Sequence, residues 1–414
     1  MRALLSICLF LAFFTGCQGG PSWEHQSDSS IGDLSQSIWT VRREPYGTYD
    51  TIGIRRLVDP DRTEAKNVVV YLPPSFTSAN FYTKNDGTYD EKYDFRIYLA
   101  NRGYDVYSLD YRTSSVPSSE TNLSFMANWN EKAYLGDIDA AVGFAKDNSG
   151  AGKVFLVGHS SGAKYVYLYA AQHDGNLIGM VVLDGSPWES DGSPAAARTM
   201  NINDFYTAIF SGDTPENRAL FESFGLPPNP QYFVYQVPPF GTGFNEGIHL
   251  YETEGPGYGP YEGFPTVSDY LADQYQNVWG DGQLANPVGG FSSVEMLVNF
   301  SLQAAIPNWP IIEYTEDAYT GNWDGNLFPP EPATSLRSKL FMVELPIIVF
   351  ASSGWTTALG MEFEWKALGP TLTRSTDQQY ILLDGFGHLD VLMGEQAQAQ
   401  VFEPLYNWLI AHAI

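Results

Sequence analysis

Gly158-His159-Ser160-Ser161-Gly162 is the stretch of this sequence whose residue types and spacing suggest covalent chemistry. It follows the apolar run VFLV at 154–157 and precedes a helical pattern beginning near Ala163. A sharp strand-to-helix turn needs small residues on both sides of its central serine, because the backbone is strained and the helix packs close. Gly158 and Gly162 supply them. Such a turn lifts the Ser160 hydroxyl above the sheet edge, at a helix N-terminus whose dipole favours developing negative charge. A serine hydroxyl is a poor nucleophile until a base takes its proton, so a histidine is needed nearby in space. The chain has 6 histidines. His25 lies in a polar N-terminal segment, His159 inside the turn, His173 at the end of the following helix, His249 in an aromatic-rich insertion and His412 in the last helix. His388 remains, in Gly385-Phe386-Gly387-His388-Leu389-Asp390, directly after the last apolar strand. A glycine-flanked loop at the C-terminal end of a strand is where parallel sheets place functional side chains. Ser160 as nucleophile and His388 as general base are therefore the expectation.

The elements that would position these residues alternate. Residues 67–72 (NVVVYL) read as a buried strand, 89–102 as a helix, 104–109 as a strand, 127–146 as an amphipathic helix and 154–157 as a strand. A helix over 163–172 and a strand over 179–183 follow. The pattern resumes with 345–350 (LPIIVF), a helix near 356–367, a strand over 379–383 and a final helix over about 395–412. Residues 37–58, broken by Pro45-Tyr46-Gly47, suggest a hairpin. This predicts an α/β fold with a mostly parallel central sheet flanked by helices. Between the two blocks the alternation stops. Residues 185–338 are crowded with Gly, Pro and aromatics such as Tyr232, Phe233, Tyr235, Phe240, Phe244, Tyr251, Tyr258, Tyr261 and Phe264. A structureless loop of that length does not suit a compact domain. The expected organisation is a core of residues 37–184 and 339–414 carrying a large inserted cap over 185–338, with no repeat of fixed period.

At 414 residues the chain can bury a large core, and 17% charged and 15% aromatic residues mark it as globular. Its formal charge of −26 repels phosphate backbones, which argues against a nucleic-acid partner. Met1-Arg2 followed by the apolar residues 3–14 reads as a secretory n-region and h-region, too short to span a bilayer. Phe14-Thr15-Gly16-Cys17 resembles the bacterial lipobox, with Phe for the usual Leu and Thr for the commoner Ala or Ser. That resemblance implies a signal peptide over 1–16 and a lipid-anchored Cys17 as the mature N-terminus. With Gln18 rather than Asp after the cysteine, it further implies retention at the outer membrane, facing the periplasm or the exterior. Residues 17–36 would be the anchor and a flexible tether, rich in Gly, Ser, Asp and Gln. Cys8 and Cys17 are the 2 cysteines, and Cys8 would be removed, which excludes a cysteine nucleophile and a thiolate metal site.

With the elbow and His388 in hand, the sequence resembles the α/β-hydrolase superfamily across residues 50–185 and 340–414. The stretch GHLDVLMGEQAQAQVFEPLYNWL is similar to the C-terminal end of its acid lipase branch, where His-Leu-Asp follows the last strand. The resemblance implies hydrolysis of carboxylic esters or lipids by a Ser-acid-His triad in that chain order, with no cofactor or metal. Dehalogenases and epoxide hydrolases of the superfamily carry Asp where this chain has Ser160. One oxyanion-hole donor should be the N–H of Ser161. The other should come from Leu72-Pro73-Pro74-Ser75-Phe76, where relatives often have His-Gly; because proline has no N–H, it falls to Ser75, or else Phe76.

The acid is less direct. Relatives usually place it after the strand that is LPIIVF here, but Ala351-Ser352-Ser353-Gly354-Trp355 contains no carboxylate, and the next are Glu362 and Glu364. Asp184 ends the preceding strand in Val182-Leu183-Asp184-Gly185, the position used by pancreatic-type lipases. Asp184 is the first choice, with Glu362, Glu364 and Asp377 as alternatives, whereas Asp110 and Asp390 are expected to fix loops or cap a helix. The expected activity is hydrolysis of a small-molecule or lipid ester at the cell envelope, with the aromatic cap suggesting an apolar or aromatic group on the substrate. A serine peptidase, an acyltransferase and a non-catalytic binding lipoprotein of the same fold are the alternatives.

Overall fold

The apolar runs become the middle of one sheet. The computed structural model describes residues 22–62, 67–81, 88–117, 120, 122, 125–126, 129–187, 234–235, 241–279, 292–304, 306, 309–310, 337–354 and 364–414. The strands are β1 (Glu24–Ile31), β2 (Leu34–Arg42), β3 (Thr51–Val58), β4 (Val68–Leu72), β5 (Asp105–Asp110), β6 (Val154–His159), β7 (Leu177–Leu183), β8 (Val234–Tyr235), β9 (Trp309–Pro310), β10 (Ile347–Ser352) and β11 (Gln378–Leu383). β8 and β9 pair separately, and the rest form a sheet ordered β1-β2-β3-β5-β4-β6-β7-β10-β11. From β1 to β5 the pairing is antiparallel; from β5 through β4 to β11 it is parallel.

The strands β4, β6, β7 and β10 are buried along their whole length, which is why they read as unbroken apolar runs rather than as alternating ones. Alternation persists in where the side chains go. Val69, Tyr71, Phe155 and Val157 enter one apolar cluster, and Val68, Val70, Leu72, Val154 and Leu156 enter the other. Helices α1 (Phe95–Asn101), α2 (Glu131–Ser149) and α3 (Ser161–His173) divide between the faces, α2 and α3 with the second cluster and α1 with the first. The insertion contributes α4 (Gly241–Glu254), α5 (Val267–Trp279) and α6 (Val294–Gln303), whose Phe244, Tyr275 and Leu297 join the α1 cluster. The chain closes with α7 (Glu364–Thr371), α8 (Asp390–Met393) and α9 (Glu403–Ala411), the last sending Leu405 and Trp408 into the α1 face. No helix among the described residues is long and apolar enough to cross a membrane.

Three readings of the sequence need adjustment. The flexible tether over 17–36 is corrected in its described part, since residues 24–42 form the β1–β2 hairpin and the fold begins before residue 37. An edge strand needs little burial, so Ile31 and Leu34 suffice. Polar side chains then zip the pair, with Gln26 Nε2 donating to Thr40 Oγ1 at 2.8 Å and Ser29 Oγ donating to Gln36 Oε1 at 2.9 Å. The helix read over 89–102 starts at Phe95, because the Asp94 side chain accepts the Arg96 N–H and caps it there. The final helix is interrupted by a π turn at Gln398–Phe402 before α9. Cys17 and residues 1–16, expected from the sequence to be a signal peptide, lie outside the described residues.

Candidate active site

β6 ends at His159 and α3 begins at Ser161, so Ser160 alone makes the turn, with φ 56° and ψ −121°. A positive φ is costly for a side-chain-bearing residue and persists only where the surroundings hold it. Here the Ser160 N–H donates to the Leu183 carbonyl at 3.1 Å, and its carbonyl accepts the Ala163 N–H at 2.9 Å. The glycines are required by contact. A Cβ on Gly158 would stand 2.2 Å from the Gly162 carbonyl oxygen, and one on Gly162 would stand 2.1 Å from the Leu72 carbonyl oxygen and 2.9 Å from that of Pro73. The loop after β4 therefore lies against the first turn of α3. This is the point where the strand order reverses, between β4 and β6, and such crevices are where open α/β sheets bind ligands.

That loop is held on every side. Thr77 Oγ1 donates to the Pro74 carbonyl (2.8 Å), the Ala79 N–H to Asp110 Oδ1 (2.7 Å), and buried Arg96 to the Ala79 and Asn80 carbonyls (2.8 and 3.0 Å). From the insertion, the Ile306 N–H reaches the Phe76 carbonyl (2.6 Å). Return bonds run from the Ser78 N–H to the Ala304 carbonyl (2.8 Å) and from Asn80 Nδ2 to the Gln303 carbonyl (2.9 Å). Phe76 is fixed at φ 61°. Ser75 thus sits on a clamped loop packed beside the α3 N-terminus, where the first N–H groups have no intrahelical partner and Ser161 is the first residue.

Asp184 follows β7 with φ 47°, its N–H bonded to the Phe350 carbonyl at 2.8 Å. Its Oδ2 lies 2.7 Å from His388 Nδ1 and accepts Ser352 Oγ at 2.8 Å. Its Oδ1 accepts the Ser352 N–H at 2.6 Å and Lys366 Nζ, on α7, at 2.5 Å. Burial alone would raise this carboxyl, but the Lys366 charge and the His388 contact hold it well below the usual carboxylate range.

His388 is steadied from several elements. The His159 Nε2–H donates to its carbonyl at 2.9 Å, and the two imidazoles stack with centroids 4.5 Å apart. The Gly385 N–H donates to Ser353 Oγ, the Gly354 N–H to the Phe386 carbonyl, and the Gly387 N–H to Asp390 Oδ2. Burial depresses the His388 pKa against the opposing pull of Asp184, and Lys366 adds to the depression. Burial and the adjoining His388 hold His159 well below its ordinary value, so its ring stays neutral. With Nδ1 committed to Asp184, proton exchange with a hydroxyl falls to Nε2.

A sequence model described as alpha/beta hydrolase fold matches residues 87–224. Among solved structures, a candidate lipase from Sulfolobus solfataricus aligns with a TM-score of 0.67 at 22% identity, over 94% of this chain and 99% of its own. The chain has the α/β-hydrolase fold. A soluble variant of monoglyceride lipase from Saccharomyces cerevisiae (TM-score 0.48, 12% identity, 95% of this chain and 96% of its own) also matches. So does a thermophilic esterase from Thermogutta terrifontis (0.42, 13%, 89% and 97%). No curated protein matches the sequence.

Within this fold, Ser160, Asp184 and His388 each follow a strand of the parallel region, β6, β7 and β11. Asp377 lies elsewhere, exposed and 2.9 Å from His412 Nε2. Glu362 and the Glu364 side chain lie outside the described residues. Asp110 fixes a loop, as expected, accepting Arg55 Nε (2.6 Å) and the Ala79 N–H. Asp390 does so too, accepting the Ser292 N–H and Ser292 Oγ besides Gly387. Its carboxyl is pushed up to about 7 by burial, against the lowering effect of those donors. Three neighbours escaped the sequence reading: Lys366, Ser352 and His159. A lysine in a helical pattern reads as solvent-facing, so nothing local marked Lys366. Among the described residues no group of three or more His, Cys, Asp or Glu gathers to hold a metal ion.

Proposed function

We propose that the protein is a serine hydrolase that cleaves carboxylic esters through an acyl-enzyme on Ser160. The observation that carries this reading is the 2.7 Å contact between His388 Nδ1 and Asp184 Oδ2, in a loop tied to the serine turn through His159. His388 Nε2 takes the Ser160 proton as Oγ attacks the ester carbonyl, while Asp184 stabilises the imidazolium and fixes the tautomer. The Ser161 and Ser75 N–H groups receive the developing oxyanion, each such donor typically supplying about 3 kcal/mol of barrier lowering. Collapse of the tetrahedral intermediate expels the alcohol, which receives the proton from His388. Water, deprotonated by the same imidazole, then releases the acid and restores Ser160.

The substrate class proposed is a small-molecule or lipid ester. Among the described residues of the insertion, Phe244 packs on Tyr275 at 5.1 Å and Tyr261 on Tyr270 at 5.0 Å, so these four rings serve the packing of the insertion itself. We also propose export and anchoring of the enzyme in the envelope through an acylated Cys17, supported by the short apolar segment and Phe14-Thr15-Gly16-Cys17.

The test combines a fluorophosphonate probe with p-nitrophenyl esters, p-nitroanilides and a matched acyl acceptor. Labelling at Ser160 and ester turnover, both lost in Ser160→Ala, are expected. Turnover of amides alone would replace the esterase reading with a peptidase. A folded protein that is neither labelled nor active would be a binding module.

A further inference from the structure

The acid that orients His388 is shared with a lysine. Asp184, Ser352 and Lys366 are each 0% exposed. While Asp184 Oδ2 faces His388, its Oδ1 holds Lys366 Nζ, and the same ammonium donates to the Ser352 carbonyl (3.0 Å) and approaches Ser352 Oγ (3.1 Å). Three oxygens around one ammonium match its three N–H donors, which satisfies the lysine in a fully buried place. The carboxylate does not need this partner to be satisfied, since the Ser352 N–H, Ser352 Oγ and His388 already bond to it. Nor is a buried ion pair strong evidence of added stability, because desolvation of two charges offsets their attraction. Its distinctive consequence is electrostatic and falls on the imidazole across the carboxylate.

We propose that Lys366 is a positioning residue for the esterase reaction. By pairing with the far oxygen of Asp184, it keeps His388 unprotonated, and so available as a base, to lower pH than an Asp–His pair alone would allow. The inference rests on the reading of Ser160, Asp184 and His388 as a triad. An isolated Asp–His pair becomes neutral when the imidazole protonates, which favours protonation. With Lys366 present the resting group is already neutral, and protonation of His388 brings a net positive charge into a buried site. The contacts of 2.5 and 2.7 Å and the span of a carboxylate put Lys366 Nζ and His388 Nδ1 within about 7 Å of each other. At the effective dielectric that describes protein sites, a charge at that distance moves a pKa by roughly one to two units.

The other titratable groups around this chamber do not reproduce the effect. His159, from the end of β6, is held neutral by burial and by His388. The phenols of Tyr380 on β11 and Tyr167 on α3 are raised by burial and stay protonated. Asp390, on α8, points its oxygens at Gly387 and Ser292. The depression of the His388 pKa, first by burial and further by Lys366, agrees with the sign of this argument.

The experiment measures the imidazole itself in the full chain: a pH titration by NMR with ¹³C-labelled histidine, the His388 signal assigned by its absence in His388→Gln. The acid limb of kcat/KM on p-nitrophenyl acetate is recorded beside it. In the wild type the His388 midpoint should lie below the ordinary value of about 6.5. Lys366→Met should raise both midpoints by about one to two pH units, and Lys366→Arg should return them toward the wild type. A purely structural lysine would lower activity at every pH and leave the midpoints in place, which overturns the proposal. If Lys366→Met does not fold, Lys366→Gln, which keeps hydrogen bonding to Asp184 without the charge, takes its place, and a His388 midpoint left at the wild-type value refutes the proposal. Failure of the esterase reading shows separately, as absence of Ser160 labelling and of turnover, and leaves the NMR titration readable.

Discussion

Replacing Asp184 by Asn exchanges one oxygen for an amide nitrogen at a point where four donors converge: the Ser352 N–H, Ser352 Oγ, Lys366 Nζ and His388 Nδ1. The amide has one acceptor oxygen, so it cannot serve both sides. If the oxygen stays toward Lys366, the NH₂ faces His388, which must then present a lone pair at Nδ1 and carry its proton on Nε2, the wrong tautomer for a base. This change costs about 10⁴ in kcat in comparable triads, or roughly 5 kcal/mol of barrier. Lys366 meanwhile loses its counter-charge in a fully buried place, and breaking a buried pair from one side costs about 3–5 kcal/mol of stability. The two losses are separable. Lys366→Met in the Asp184→Asn background removes the stranded charge, so the double variant should regain thermal stability over Asp184→Asn and remain inactive. The assay pairs ester turnover at pH 8 with calorimetric melting of the wild type, both single variants and the double. Asp184→Asn within tenfold of wild-type turnover, or a double variant no more stable than Asp184→Asn, would refute the reasoning.

Gly162→Ala would drive a methyl group to 2.1 Å from the Leu72 carbonyl oxygen, a backbone neighbour that can give way only if the end of β4 and the loop after it move. A stability loss of about 1–3 kcal/mol and a fall in kcat of order 10²-fold are expected as the loop after β4 shifts, and unchanged kinetics would count against its role beside Ser160. Asp390, raised from 3.8 to about 7, takes up a proton on folding, so its ionisation weakens the fold as the pH rises from about 4 to 7. Asp390→Asn lacks that penalty, and its melting temperature relative to the wild type should climb between pH 5 and 8; a constant difference would show that the carboxyl is already ionised in the folded state. Mass spectrometry of the native protein should find Cys17 as an acylated N-terminus, and an unmodified terminus elsewhere would mean an ordinary secretory signal.

The parts legible in the sequence were those whose physics is local. β4, β6, β7 and β10 announce themselves because strands covered on both faces must be apolar throughout. The serine turn is recognisable because close packing there admits only glycine at 158 and 162. β1 was hidden for the opposite reason: an edge strand bonded through serines and glutamines has the composition of a linker. His388 could be singled out by its place after a strand, and Asp184 likewise. Lys366 could not, because its significance lies in contact with Asp184, 182 positions away along the chain. His159 reads as the variable residue of the turn, and only the return of the 385–390 loop shows why an imidazole suits it: its N–H fastens the His388 carbonyl.

The bonds that α6 and its flanks make at both ends give the insertion a mechanical meaning. Ser292 is bound to Asp390 beside the His388 loop, while Gln303, Ala304 and Ile306 are laced to residues 76–80. The helix is thus a crossbar between the loop that carries His388 and the loop after β4 that carries Ser75. Strain introduced along it should reach the turnover number as readily as substrate preference. A chimera that borrows a relative's insertion would have to bring residues 73–81 and 385–390 with it, because a foreign crossbar would meet neither socket.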